Sequence, residues 1–538
     1  MLLVPIVAAL AVGASAKPQL DPQTHQRLLH QGRPQVALWQ ALLREQHDAD
    51  HSAQASFRPT SPLARSHCFP QKISHFDESI NGTFCQRYWL DASHYKPGGP
   101  VYLLDGGETS GENRIPFLET GILEILGNAT DGLSIVLEHR YYGDSVPVES
   151  FSTDDLRFLN NAEALEDSAY FIENFKPPSS LDLDEYSFHP NNTPWIYYGG
   201  SYAGARAAHM RVQYPDLVWG AIASSGVTHA QVVFSEYYDP IQQYAPPECI
   251  STLQSAVAFI DTILDHPKVL KDALKGLFGL GVLGDGDFAD VISSPLGYWQ
   301  ARNWDDEVGS MEFYKFCDAL TVGGAGSKIG LISVPASVLN YAKYIKETVV
   351  AECPSDDVDD CFGSDDVEKF RYTDLSQTWR LWIFQVCTQW GYFMPAPPAA
   401  FLSIVSRHLT LGHTQQICPD AFPPGKFFSI PDVPDVEEVN KRGDYGIEAD
   451  RLAFIDGDSD PWRVVTPQSD FAEGKKSSVN RPRHIIFDGV HHYDENGLAD
   501  HSKEPARVRD VHEFEKLFVS EWLAQWKEEK LGRGKDLV

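Results

Sequence analysis

Tyr197-Tyr198-Gly199-Gly200-Ser201-Tyr202-Ala203-Gly204 is the stretch on which the reading of this chain turns. The apolar run before it, residues 195–198, has the character of a buried strand. Residues 205–211 after it are good helix formers. A serine between strand and helix, with glycines around it, is the setting of a nucleophile elbow. So sharp a turn needs small residues, because the backbones on either side close up. It lifts the Ser201 hydroxyl clear of a sheet and aims a helix N-terminus at developing negative charge. The strict spacing G-x-S-x-G would put glycine at 203, yet Ala203 stands there and Gly204 follows. An ordinary Gly-rich turn is the competing reading, and the rest of the chain has to decide.

Upstream, residues 100–104 read as a strand running into Asp105-Gly106-Gly107-Glu108. Residues 133–137 read as another, followed by Glu138-His139-Arg140-Tyr141-Tyr142-Gly143. Helices are expected over 115–126 and 161–175. Further strands are expected over 218–223, 451–455 and 484–487. Near-continuous apolar strands alternating with helices imply a mainly parallel sheet covered on both faces. From 228 to 427 the pattern changes. Leu253, Val257, Ile260 and Leu264 share one helical face, as do Val338, Tyr341, Ile345 and Val349. This reads as a helical insertion of roughly 200 residues, large enough to be a domain. The core is then split into 66–227 and 428–538. The Gly-rich run 279–286 looks hinge-like. The acidic run from Asp356 to Asp366 does not match the spacing of a calcium-binding loop and reads as solvated. An amphipathic helix carrying Val511, Phe514, Phe518 and Trp522 closes the chain.

A length of 538 residues with 43% hydrophobic content supports a substantial core. A net charge of −31 repels nucleic acid and anionic membrane, so neither is expected as a partner. The first 16 residues form an apolar run ending Ala14-Ser15-Ala16, a signal peptide with its cleavage site before Lys17. Residues 17–65 read as an N-terminal arm or pro-segment, helical near 36–43. No later apolar run is long enough to span a membrane. Eight cysteines in a secreted chain favour disulfides, with Cys68–Cys85 and Cys353–Cys361 as the expected local pairs. Sequons at Asn81, Asn128 and Asn191 fit glycosylation of an extracellular protein, a vacuolar or lysosome-like compartment being the alternative.

A serine hydroxyl needs a general base, and that base needs an orienting carboxylate. Asp460 follows the strand at 451–455, and His491 follows the strand at 484–487, with room for one helix between. Asp456 and Asp458 compete with Asp460, and His492 with His491. For the oxyanion the expected donors are the backbone N–H groups of Tyr202 and Gly107. A phenol from Tyr141 or Tyr142 is the alternative to Gly107. His139 and Arg140 read equally well as buried groups paired with Glu138. No metal or organic cofactor is implied.

Glu138-His139-Arg140-Tyr141-Tyr142-Gly143-Asp144-Ser145, Gly199-Gly200-Ser201-Tyr202, Asp460-Pro461-Trp462 and Gly489-x-His491-His492 together resemble the secreted serine peptidases of the prolyl-carboxypeptidase and dipeptidyl-peptidase II family. Residues 156–171 and 382–393 are also similar. Asp105-Gly106-Gly107-Glu108 resembles the fungal members. The resemblance implies an α/β-hydrolase core with a helical cap, and cleavage of peptides after proline, usually at acidic pH. It implies Ser201 as nucleophile, Asp460 as acid and His491 as base, with Trp462 beside the substrate's proline ring. An indole face suits a rigid pyrrolidine. Serine carboxypeptidases of the wheat and yeast type share the Ser-Tyr-Ala-Gly stretch but lack the other motifs. A lipase or esterase would carry a His-Gly-Gly-Gly loop, which is missing here. A catalytically silent hydrolase domain used for binding is the rival from another class.

Overall fold

The computed structural model describes residues 62–535, apart from 306–307, 330–331, 354 and 399–401. The expected signal peptide, and the expected arm up to residue 61, lie outside the described residues. In chain order the strands are β1 His67–Lys72, β2 Thr83–Asp91, β3 Val101–Asp105, β4 Leu133–Leu137, β5 Trp195–Gly200 and β6 Gly220–Ser224. They continue with β7 Gln231–Val233, β8 Ser327–Ile329, β9 Ile332–Val334, β10 Gly391–Phe393, β11 Leu452–Gly457 and β12 Arg483–Ile486. Eight of them form one sheet in the order β1-β2-β4-β3-β5-β6-β11-β12. β1, β2 and β4 pair antiparallel, and every pairing from β4 to β12 is parallel.

Alternate strand residues serve opposite faces, as the pleat requires. Val101, Leu103, Trp195, Tyr197 and Ala221 pack with Phe171, Ile172, Ala207 and Met210, from helices Asn161–Asn174 and Ser201–Gln213. Tyr102, Leu104, Ile196, Tyr198 and Ile222 pack with Leu123, Leu126, Val511, Phe518 and Trp522, from helices Ile122–Thr130 and Ala506–Lys535. Each such side chain, withdrawn from water, stabilises the fold by about 1.5–3 kcal/mol before entropy is charged against it. This is the α/β-hydrolase fold.

Two expected helices differ. The stretch 115–126 is broken into Ile115–Glu119 and Ile122–Thr130. The break lets the Ile122 N–H donate to the Glu495 carbonyl at 3.0 Å. Between β11 and β12 there is no α-helix, only the 3-10 turn Pro461–Val465. The following residues, 466–482, are mostly polar or charged and offer no apolar face to bury.

The chain leaves the sheet after β6 and returns at β11. Helix Pro247–Leu264 buries Leu253, Val257, Ile260 and Leu264. Helix Ala336–Tyr344, continued by a π-turn, buries Val338, Tyr341, Ile345 and Val349. Short strands interrupt the helices: β8 pairs antiparallel with β9, and β7 pairs parallel with β10. The latter pair ties the start of the segment to its later half. Disulfides Cys249–Cys317, Cys353–Cys361 and Cys387–Cys418 lie within it, and Cys68–Cys85 joins β1 to β2. The Gly-rich run is a turn between helices Lys268–Leu277 and Asp285–Ser293, with Gly279 at φ +80°. In the acidic run, Asp357 and Asp366 accept the N–H groups of Asp359 and Glu368, both at 3.1 Å, and so cap short helical turns.

Candidate active site

Ser201 directly follows β5 and is the first residue of helix Ser201–Gln213. Its φ of +58° lies in the left-handed region, a strain of order 1–3 kcal/mol that a non-glycine residue bears only when its surroundings enforce it. The surroundings are close. A side chain at 204 would meet the Ser224 carbonyl oxygen at 2.7 Å and Gly226 Cα at 2.8 Å. Position 203 holds a methyl without conflict. Glycine is therefore needed at 204, where the helix passes the end of β6, and this explains the departure from the strict spacing.

His491 Nε2 lies 2.7 Å from Ser201 Oγ, and His491 Nδ1 lies 2.9 Å from Asp460 Oδ2. Asp460 Oδ1 accepts the Trp462 N–H at 2.9 Å. The residue before Pro461 is held extended, at φ −69° and ψ 119°, which lets the Asp460 carboxylate cap the turn behind it. All three side chains are buried, Asp460 completely. Burial alone would raise the Asp460 carboxyl. The His491 charge and hydrogen bond, the Trp462 N–H and the Ser225 hydroxyl outweigh it and hold the group below the usual carboxylate range. Burial also lowers the His491 imidazole, and Asp460 restores only part of that.

The competing residues are engaged elsewhere. Asp456 Oδ2 accepts from Gln468 at 2.7 Å and Thr466 at 3.2 Å. Asp458 is only partly buried and is not joined to His491. His492 Nδ1 pairs with Glu495 at 2.9 Å, and its N–H donates to Ser225.

The expected oxyanion donors divide. The Tyr202 N–H belongs to the first turn of the helix, where N–H groups have no intrahelical acceptor. The Gly107 N–H, by contrast, donates to Asp105 Oδ1 at 3.0 Å, and the Gly106 N–H to the Leu137 carbonyl at 2.8 Å. The acidic end of β3 takes one of this loop's amides and the end of β4 the other. Neither phenol replaces them: Tyr141 donates to the Asp155 carbonyl and Tyr142 to Gln385 Oε1. The pairing expected for His139 and Arg140 also changes. Glu138 takes Arg87, while Arg140 binds both oxygens of Asp167 at 2.6 Å. His139 Nε2 meets the Tyr202 hydroxyl at 2.9 Å and fixes the ring beside the elbow.

A narrow cleft opens on Ser201, Tyr202 and His491, walled by Glu108, Val227, Gln300, Trp382, Tyr392 and Trp462. Trp462 lies 5.9 Å from the His491 ring, and its indole N–H donates to Gln300 Oε1 at 2.8 Å. Tyr392 donates to the His229 carbonyl at 2.9 Å. Trp382 packs edge-on against Tyr202, 5.5 Å between centroids. Sequence reasoning missed Glu108, Val227, Gln300, Trp382 and Tyr392 as wall residues. The aromatic density of 379–393 was a signal for two of them; nothing in sequence marks Gln300. Among the described residues, no group of three or more His, Cys, Asp or Glu side chains is placed to hold a metal.

The family model described as serine carboxypeptidase S28 matches residues 71–513. This chain belongs to the serine carboxypeptidase S28 family. A "Probable extracellular serine carboxypeptidase" of Arthroderma benhamiae is 39% identical over 486 residues, 85% of this chain and 66% of that protein's length. "Serine protease vicPa" of Bipolaris victoriae is 25% identical over 495 residues, covering 88% of this chain and 91% of its own. The human "Thymus-specific serine protease" is 28% identical over 422 residues, covering 74% and 76%. Among solved structures, the proline iminopeptidase of Mycobacterium smegmatis aligns over 86% of this chain and 99% of its own. It does so at 12% identity and a TM-score of 0.33, which carries no detail of the site across.

Proposed function

We propose that this S28 chain is a secreted serine peptidase that cleaves peptides after proline and works in acidic surroundings. The observation that carries the reading is the hydrogen-bonded run from Asp460 through His491 to Ser201, at 2.9 and 2.7 Å, opening on an aromatic cleft. His491 takes the Ser201 proton as Ser201 attacks the prolyl carbonyl. Asp460 holds the imidazole with Nδ1–H toward itself and stabilises the imidazolium that forms. The Tyr202 N–H binds the oxyanion, and water then releases the acyl group. Trp462, with Trp382 and Tyr392, offers ring faces to the proline ring.

Activity in acid rests on the direction in which His491 is shifted. A base must be neutral to accept a proton, and lowering its pKa keeps it neutral at lower pH than an ordinary histidine. In this reading residues 66–227 and 428–538 make the catalytic core, 228–427 the cap, and residues 1–16 the signal that exports it. Peptides or proteins are the partners. Asn81, Asn128 and Asn191 are exposed and open to glycosylation, and no described helix is long and apolar enough to cross a membrane.

The test is a paired assay at pH 4–5 and pH 7. One substrate is an N-terminally blocked peptide with proline followed by several residues; the other is a free-amine Xaa-Pro with a chromogenic leaving group. Cleavage after proline that persists at the lower pH, and its loss to near background in Ser201→Ala, are the expected results. Hydrolysis with no preference for proline, or Ser201→Ala keeping most activity, would overturn the proposal. The fragments read out whether the cut falls at an end or inside the peptide.

A further inference from the structure

The Tyr202 N–H leaves an oxyanion with one donor; the Gly106 and Gly107 N–H groups are spent on Leu137 and Asp105, and the Glu108 N–H is drawn to its own carboxyl. The next residue along that loop is Glu108. It is 2% exposed, lines the cleft with Ser201, Tyr202 and His491, and its Oε1 has no hydrogen-bond partner among the described residues. An unpartnered polar atom at such depth is costly, so its retention at the reacting centre asks for a ligand. From this placement we infer that the Glu108 carboxyl, in its neutral form, donates a hydrogen bond to the carbonyl oxygen of the bound peptide and acts as the second oxyanion donor. It moves no proton; it holds one. The inference rests on the acyl-transfer reading above.

The charges around Glu108 agree with a held proton. On its own loop Asp105 adds negative charge. Arg114, on the turn that follows, and Arg206, on the elbow helix, oppose it. Arg206 is engaged by Asp105 at 3.1 Å, and Arg114 donates to the Gly106 carbonyl. Tyr142, from the loop after β4, and Tyr202, from the elbow helix, also face it, and both phenols are held protonated by burial. Burial is the largest influence on Glu108 and pushes its carboxyl up to about 8. A carboxylic acid is thus the form present wherever His491 is an effective base in acidic medium. Ionised, the same group would place a negative charge beside the oxyanion and repel it. The sign is fixed: the donor is present at low pH and lost as pH rises through about 8.

The experiment measures kcat and KM from pH 4 to 9 for the full-length protein and for Glu108→Gln and Glu108→Ala, using the blocked proline peptide. Labelling of Ser201 by a fluorophosphonate, and a melting curve, accompany each variant. Glu108→Ala is expected to lose about a hundredfold to a thousandfold in kcat with KM within a few-fold. Glu108→Gln keeps a donor, so it is expected to stay within tenfold of wild type at pH 5 and to lose the fall in kcat near pH 8. If Glu108→Ala unfolds, the Glu108→Gln profile decides alone. The inference is overturned if Glu108→Ala folds with kcat within threefold of wild type, if the loss lies wholly in KM, or if Glu108→Gln keeps the alkaline fall. If the wild-type protein neither cleaves the peptide nor takes the label, the acyl-transfer reading has failed instead.

Discussion

The sheet and the segment inserted after β6 build the cleft in different ways. Ser201, Asp460 and His491 follow β5, β11 and β12, members of one run of parallel ladders, β5-β6-β11-β12. Each is fixed by short polar contacts, and each is buried. Gln300, Trp382 and Tyr392 come from the insertion, where packing, the β7–β10 pair and the Cys387–Cys418 disulfide hold the two rings, and Trp462 and Tyr237 donate to Gln300. Polar contacts of fixed geometry fail in steps when one partner is altered, whereas packed ring faces fail by degrees. Chemistry therefore belongs on the sheet, and selectivity can be adjusted in the insertion without disturbing it.

The sharpest way to break this comparison is Asp460→Asn. The amide keeps the shape and the Trp462 N–H contact but reverses the tautomer that His491 adopts. A fall of about ten-thousandfold in kcat, with KM within a few-fold, is expected in steady-state assays on the proline peptide. A loss below tenfold would mean that the relay on the sheet is not what drives the reaction.

The insertion should answer more softly. Trp382→Ala removes a ring from the cleft wall but touches no member of the relay. The expected result is a tenfold to hundredfold loss in kcat/KM for a proline peptide and a smaller loss for its alanine counterpart. Fluorophosphonate labelling of Ser201 should persist. Equal losses on both peptides would show that Trp382 supports the elbow through Tyr202 rather than selecting substrate.

The same division explains what could be read from sequence. The elbow was legible because Gly199, Gly200 and Gly204 are local demands of one turn. Asp460 and His491 were legible because they stand directly after apolar strands, in a fixed order. Whether Asp456, Asp458 or Asp460 faces the histidine depends on a turn after β11 that only coordinates give. The missing helix between β11 and β12 has the same cause: spacing permits a helix, but residues 466–482 have nothing to bury. Gln300 was out of reach because long-range packing brings it to the cleft. Glu108 stood beside the expected donor Gly107. Its importance depends on Asp105 taking the Gly107 N–H, a contact that spacing does not reveal.

At the end of β11 and in the turn after it, Asp456 and Asp460 differ as well. They sit four positions apart, both buried, and are shifted in opposite directions. Asp460 has a histidine facing it. Asp456 has only the Gln468 and Thr466 donors, with the Asp460 charge nearby and Arg463 in partial opposition, so burial dominates and raises its carboxyl to about 7. A raised carboxyl stabilises the fold fully below its ordinary value near 3.8, and that contribution is lost as pH rises through about 7. Asp456→Asn removes the titration while keeping an acceptor for Gln468. The variant should match wild type in melting temperature at pH 4 and exceed it by about 2–5 °C at pH 8, with kcat little altered. An equal drop at both pH values would mean that Asp456 serves only as a hydrogen-bond acceptor. A large loss of kcat would mean that the strand beneath the relay cannot be separated from it.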